Sequence, residues 1–392
     1  MRRTLLCMSA AWVLAVEING HGQPQQFLRI ESTNAAPVLI RWDVDMEQII
    51  CTLPQGTMYW VQRTRKLNEQ SWEPWSKGIA TNGTLRVAVR ADRVPPGFSL
   101  VPGGLFLMGD VLNDHNEARD VHPVWIDPFW MQTTEVSNGE FADVLQWGLE
   151  QGLIRVEGDL VVDSRGTNLF ALNRYDSEIA FDGKQFQVRA GREVYPVGYV
   201  SWYGAVWYCQ LRSMKEGLEP CYDMKTWSCD FAKGGYRLPT EAEWECAARG
   251  GYEGRRFSWS DSEFISHERA NYQSRTNVWY DASRTTGFHP IYGQFRPRTA
   301  PVVSFEPNNY GLHNVIGNIF EWVNDWAARY SRAFQVNPRG PDTGTFKIIR
   351  GGSWYTTAER TTVAFRYMSA RPETLTGDIG FRVARSRAVR GE

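Results

Sequence analysis

The chain has 392 residues, 42% of them hydrophobic and 22% charged, which suits two or three folded domains and excludes wholesale disorder. A formal net charge of -1 leaves no broad basic surface to neutralise a phosphate backbone, so no nucleic-acid partner is expected. Seventeen Trp and 35 Gly point to large rings buried among tight turns rather than to long regular helices.

In chain order, Met1, Arg2 and Arg3 precede an apolar run from Leu5 to Val16, and the small residues Gly20 and Gly22 stand before a possible cut ahead of Gln23. This reads as a signal peptide over residues 1–22, with export to a periplasmic or secreted location as the expectation; a cytoplasmic protein burying an apolar N-terminus is the alternative. The run is shorter than the roughly 20 residues a bilayer needs, and no later uncharged segment reaches that length, so no membrane span is expected. Residues 25–92 carry short alternating runs: Val38, Ile40, Trp42, Val44; then Met58, Trp60, Gln62; then Leu85, Val87, Val89. Such runs predict a small all-β sandwich of the fibronectin or immunoglobulin kind, followed by a Pro- and Gly-rich linker from Asp92 to Gly104.

Three helices follow. The first is capped by Ser137, with Glu140 completing a capping box, and buries Phe141, Val144, Leu145 and Leu149 before Gly152 ends it. Ser201 caps the second, which buries Trp202, Ala205, Val206 and Cys209 and fades after Arg212. In YRLPTEAEWECAARGG, Thr240 and Glu243 form a box at the start of the third, and Gly250 and Gly251 stop it. Cys221 and Cys229 bracket YDMKTWS at a spacing a hairpin could bring within disulfide reach, and whether they pair is left open; Cys209 and Cys246 read as small core hydrophobes. The segment from Asn271 to Asn314 has no period, and loops of that length are usually functional or tied down by ions.

Common catalytic motifs are absent from the sequence, and the six His never fall at ligand spacing on one helix, so zinc and non-haem iron are not expected. The residues themselves carry a resemblance. In order they read VPGGLFLMGD from Val101, HPVWIDPFWMQTTEVSNGEFA from His122, PVGYVSWYGAVWYC from Pro196, YRLPTEAEWECAARGG from Tyr236, PNNYGLHNVIGNIFEWVNDW from Pro307, RGGSWY from Arg350 and GFRVAR from Gly380. Together they resemble the formylglycine-generating enzyme family, the sulfatase-modifying factors, over residues 99–386. The resemblance implies an α+β, irregular, loop-rich domain related to C-type lectins.

The resemblance also implies an activity: oxidation of a sulfatase cysteine to formylglycine with O2 and a copper(I) ion held by two thiolates after the GGS motif. Here GGSWYTTAERTT puts Thr356 and Thr361 at those two positions. Hydroxyls are hard, do not ionise near neutral pH and bind copper(I) poorly, so copper and formylglycine formation are not expected. Ser353 matches the family serine beside the metal, and without a His or Cys companion it reads as a turn residue. The family's calcium loop matches better, with Asn314 and Glu321 supplying side chains and Gly317 and Ile319 backbone carbonyls, the oxygen-rich set that calcium takes; an Asn-Gly turn into a strand is the alternative. A second calcium loop maps to Asn271, Tyr272 and the Gly287-Phe288 pair, where Thr286 replaces the carboxylate and Asp281 stands nearby.

Glu306, Pro307 and Asn308 spell a triplet that reads sugars in lectins, and Trp322 to Asp325 gives WVND, but the signal is weak and sugar is not the expected ligand. Trp354, Tyr355, Arg360, Arg366 and Tyr367 are taken as a groove for a peptide or protein ligand, with a buried aromatic core as the alternative. The expected protein is a calcium-stabilised binding or accessory module. Its rivals are an oxidoreductase of the same superfamily with different chemistry and a lectin-like variable ligand-binding protein.

Overall fold

The computed structural model describes residues 94–172, 177–293 and 299–386 in full and, ahead of them, the backbone of eight strands between residues 3 and 88. Two compact units result: Met1–Val94 with Pro102–Leu105 and Trp125–Asp127 form one, and the remaining residues form the other.

The first unit holds two antiparallel sheets. One runs Arg3–Met8, Ala11–Ile18, Gln26–Ser32, Met58–Thr64, Glu73–Ile79, and the other Leu39–Asp43, Gln48–Thr52, Thr84–Ala88. Strands lie where alternation places them, at Leu39–Asp43, Met58–Thr64 and Thr84–Ala88. The apolar run read as an export signal is extended into two strands, the second in register with Gln26–Ser32 from Trp12↔Ser32 to Ile18↔Gln26. The cut ahead of Gln23 lies outside the described residues.

In the second unit, helix α1 spans Asn138–Glu150, α2 Trp202–Lys215 and α3 Glu241–Arg249. The Ser137/Glu140 and Thr240/Glu243 capping boxes are both closed, so orphan amides at each helix start find oxygen partners. Glu243 also takes both Arg237 amino groups, at 2.6 and 2.7 Å, which ties the third helix start to the preceding strand. Helix α2 runs three residues past Arg212, where the Arg212–Glu216 pair, four residues apart, supports the last turn.

One sheet orders Tyr236–Arg237, Ala384–Ser386, Phe129–Gln132 and Phe98–Val101, all antiparallel. A second orders Arg366–Ala370, Lys347–Arg350, Phe320–Trp326 and Ile379–Gly380, with only the last pair parallel. Between helices and sheets lies a core in which Trp202, Trp244 and Trp322 are fully buried. Each such ring stabilises the fold by about 1.5–3 kcal/mol through the area it removes from water. The indole groups are satisfied as well: Trp202 donates to the Val323 carbonyl, Trp322 to the Val200 carbonyl and Trp244 to Glu321.

Candidate functional site

The strand Lys347–Arg350 delivers the chain to a turn held from beneath by α3. Glu241, Glu245 and Arg249, four residues apart, face it from one side of the helix. Arg350 reaches Glu245 at 2.6 Å and Glu241 at 3.2 Å, and Arg249 reaches Glu245 at 2.7 Å. Burial would push the Glu245 carboxyl up, but Arg249 and Arg350 outweigh it and hold the group below its ordinary value. Gly351 and Gly352 then take φ of +89 and +80, angles that favour glycine. A Cβ on Gly352 would sit 2.7 Å from the Arg360 carbonyl and 2.8 Å from Thr361 Oγ1, so the turn closes tightly on the residues that follow.

That closure brings Thr356 and Thr361 together. Their hydroxyl oxygens lie 3.2 Å apart, both residues buried. Thr356 Oγ1 accepts from the Ser353 amide at 2.8 Å and donates to the Ser353 carbonyl at 3.0 Å, while Thr361 Oγ1 donates to the Thr357 carbonyl at 3.0 Å. Neither oxygen is free to ionise or to take a soft ion, so the pair does not fit copper(I). Ser353 is buried in the same turn, where its hydroxyl accepts from the Tyr355 amide at 3.3 Å and donates to Asp378 at 3.4 Å.

The segment from Asn314 to Glu321 is bonded to this turn through its backbone. Gly317 donates to the Gly351 carbonyl at 2.9 Å, and the Trp354 amide donates to the Asn318 carbonyl at 2.9 Å. Asn314 adopts φ +52, and its Nδ2 donates to Glu135 and to the Pro301 carbonyl, both at 3.2 Å. The amide oxygen, Asn314 Oδ1, is buried with no hydrogen-bond partner. A buried oxygen without a donor is costly, and a hard cation would satisfy it, so Asn314 fits the calcium reading. Glu321 fits it less directly: its carboxylate takes Arg382 at 2.6, 2.8 and 2.9 Å and the Trp244 indole at 2.7 Å. Glu135, to which the sequence assigns no role, places a second buried carboxyl beside Asn314. It is fully buried, and burial, with Glu321 adding to it, pushes its carboxyl up to about 8 against the pull of Arg382 and Asn318. Residues Ile319 and Gly317 are both placed on this segment, with Gly317 at φ +78 because a Cβ there would meet the Asn271 carbonyl at 2.5 Å.

At the second expected calcium loop, protein donors reach several of the oxygens. The Asn271 carbonyl accepts the Asn318 amide at 2.7 Å, and the Tyr272 carbonyl pairs with His267 Nε2 at 3.1 Å. Asp281 accepts the Tyr272 hydroxyl at 2.5 Å and the amides of Ser283 and Arg275 at 3.1 and 3.0 Å. Gly287, beside Thr286, exchanges both backbone bonds with Ser274.

The five groove residues do not form one surface. Trp354 and Tyr355 lie 5.4 Å apart by ring centroid, with Phe288 5.8 and 6.2 Å from them, and Tyr355 is 60% exposed. Arg360 is also exposed. Arg366 points inward instead: it is buried, holds Glu241 at 2.6 and 2.7 Å and lies 3.8 Å over the Tyr330 ring. Alternation along Arg366–Ala370 sends the neighbouring Tyr367 to the other face, toward Phe320 at 6.3 Å. Asn308 of the lectin-like triplet is buried under α3, its Nδ2 donating to the Ala247 and Ala248 carbonyls and its Oδ1 accepting from Tyr310 and Leu312. That commits the amide to ending a helix.

Sequence reasoning also missed a cleft lined by Asp110, Asp114, His115, Arg255, Arg256 and Thr362. His115 Nε2 pairs with Thr362 Oγ1 at 3.0 Å, and burial lowers its imidazole despite Asp110 nearby. Arg256 is held by Asp114 at 2.8 Å and lies over Tyr280. Glu135 and Arg382 stand within the TTEVSN and GFR stretches; a charged residue flanked by core residues was the available signal.

Among the described residues no helix is long and apolar enough to cross a membrane, and no three His, Cys, Asp or Glu gather to hold a metal. Residues 85–387 match the family described as the sulfatase-modifying factor enzyme 1-like domain. The chain is 32% identical over 309 residues to the formylglycine-generating enzyme of Streptomyces coelicolor, a match covering 72% of this chain and 87% of that protein. It is 30% identical over 317 residues to the inactive C-alpha-formylglycine-generating enzyme 2 of Bos taurus, covering 72% and 86%. Among solved structures, Treponema denticola variable protein 1 superposes with a TM-score of 0.52 at 24% identity, covering 74% of this chain and 95% of that one, which is a likeness of fold.

Proposed function

We propose a function from one premise: this chain belongs to the family of the sulfatase-modifying factor enzyme 1-like domain. Within it, the protein is an exported binding or accessory module that does not generate formylglycine. The observation that carries this reading is the Thr356–Thr361 pair, two buried hydroxyls 3.2 Å apart where the family's copper chemistry calls for thiolates. A copper(I) ion on paired thiolates would activate O2; hydroxyl oxygens that hydrogen-bond to one another and to the backbone offer no such site. A relative bearing the word inactive in its name, at 30% identity, supports the same reading.

What the turn retains is its surface. Tyr355, Trp354 and Phe288 present an aromatic face with the Arg360 guanidinium close in sequence, side chains suited to anchoring an extended peptide. Asn314, with its unmet amide oxygen and the Glu135 carboxyl bonded to its Nδ2, binds calcium, and the ion would fix the segment that sets the Ser353 turn.

The decisive experiment incubates copper-loaded protein with a sulfatase-derived cysteine peptide and follows the peptide by mass spectrometry. The cysteine is expected to stay unchanged, while a fluorescent form of the peptide still binds and Tyr355→Ala weakens that binding at least several-fold. Conversion to the aldehyde would overturn the reading of the threonine pair. Calcium is expected to raise the unfolding temperature of chelator-treated protein, and Asn314→Leu to abolish the shift; a calcium response unchanged in that variant removes Asn314 from the site.

A further inference from the structure

Cys221 and Cys229 stand at the two ends of a hairpin that contributes no residue to the Ser353 turn or to the Asn314 segment. Tyr222 and Cys229 form an antiparallel bridge, the Asp230 amide donates to the Cys221 carbonyl at 2.8 Å, and the Asp223 amide donates to the Ser228 carbonyl at 2.9 Å. The hairpin tip is tied by Asp223 Oδ1, which accepts from the Lys225 amide at 2.7 Å, and Trp227 anchors it at φ +64 with its ring 4.6 Å from Tyr203. This frame fixes both cysteine backbones in neighbouring positions of the hairpin, Cys229 lying opposite Tyr222, the residue next to Cys221. Both are free thiols here; Cys221 is buried and Cys229 half-buried at the surface.

We propose that Cys221 and Cys229 are a reversible dithiol–disulfide pair, oxidised by exchange with a small disulfide such as oxidised glutathione. The asymmetry assigns the order. Cys229, the more exposed residue of the two, attacks one sulfur of the glutathione disulfide as a thiolate, forming a mixed disulfide and expelling one glutathione thiolate. Cys221 then attacks the Cys229 sulfur, the mixed bond breaks, and the second glutathione thiolate leaves. Two thiol protons pass to the two glutathione thiolates; the protein sulfurs lose two electrons and the glutathione disulfide gains them. The hydrogen bond from Cys229 and the Arg237 guanidinium hold Cys221 below the ordinary thiol range, while burial pushes Cys229 up. The raised Cys229 thiol makes the first exchange slow, while the second joins two neighbours within one hairpin and is fast, so the mixed disulfide does not accumulate in the native chain. Cys209 and Cys246 are buried and serve as internal controls.

The test equilibrates the full chain in glutathione buffers from fully reduced to fully oxidised, traps remaining thiols with iodoacetamide and maps the tryptic peptides by mass spectrometry. Cleavage after Lys225 separates the two cysteines, so a bond between them appears as a linked peptide pair. The expected result is conversion of most of the chain to that linked pair at the oxidised end, reversed on reduction, with Cys209 and Cys246 alkylated only after unfolding. Cys221→Ser is expected to accumulate glutathione on Cys229, and Cys229→Ser to acquire several-fold less on Cys221. Both cysteines alkylated at the oxidised end would overturn the proposal, and because that outcome is measured on the native chain it holds even where a variant fails to fold. Equal glutathione uptake by the two variants would overturn the assigned order.

Discussion

Replacing Arg382 with Met tests the charge arrangement beneath the candidate cation segment. Arg382 is fully buried and meets both oxygens of Glu321, itself buried, at 2.6–2.9 Å; it also donates to the His313 carbonyl at 2.9 Å and to the Gln132 and Thr133 carbonyls at 3.3 Å. Methionine keeps most of the volume and removes the charge. Glu321 would then face only the Trp244 indole, with the Glu135 carboxyl close by, and three backbone carbonyls would lose a donor. Breaking a buried pair from one side costs about 3–5 kcal/mol, because the remaining carboxylate must be left charged in a dry site or take a proton, and the loss of the carbonyl contacts adds to it. The control is Arg155→Met, which removes an exposed pair with Glu157 whose side chains are 45% and 53% exposed and should shift stability by about 1 kcal/mol or less. Urea unfolding followed by tryptophan emission reads both, since Trp202, Trp244 and Trp322 are all buried in this unit. Equal midpoints for the two variants would refute the claim that Arg382 neutralises the site.

Two further outcomes are expected. The double change Thr356→Cys with Thr361→Cys places two thiols where hydroxyls now lie 3.2 Å apart, and it should create copper(I) binding that survives a competing thiol chelator, with none in the native chain; equal copper retention by both would show that the metal binds elsewhere. In chelator, Glu135 should make stability fall as pH rises. Its folded carboxyl is raised to about 8, so the folded state keeps a proton that the unfolded chain has released above its ordinary value, and that contribution fades on passing through about 8. Across pH 5 to 8 the slope is at most about 1.4 kcal/mol per unit, and Glu135→Gln should flatten it; an unchanged slope places the proton elsewhere.

The helices and the GGS turn were legible because their determinants are local. Ser137 with Glu140 and Thr240 with Glu243 are capping signals a few residues long, and each is closed in the structure. The threonine pair was legible for a different reason: the resemblance placed both positions, and the hydroxyl–hydroxyl contact joins residues only five apart. The role of Arg366 was not, since an arginine beside an exposed tyrosine reads as surface until Glu241, 125 residues earlier, is brought to it. Glu135 stayed hidden likewise, because its partner Asn318 lies 183 residues on. Sequence spacing carries helix caps and turns; it carries no information on charge pairs that exist only after the strands are assembled.

The support of the Ser353 turn has a consequence for how such a protein changes over time. Arg350 is gripped by Glu241 and Glu245, and Gly351 by Gly317, while the hydroxyls of Thr356 and Thr361 bond only to their own turn and to each other. The two oxygens can therefore be exchanged for other atoms of similar size without disturbing any long-range partner. A lineage can lose or regain a reactive centre at two codons while its architecture stays under separate selection, and an engineer can use the same independence to install new donors on an unchanged frame.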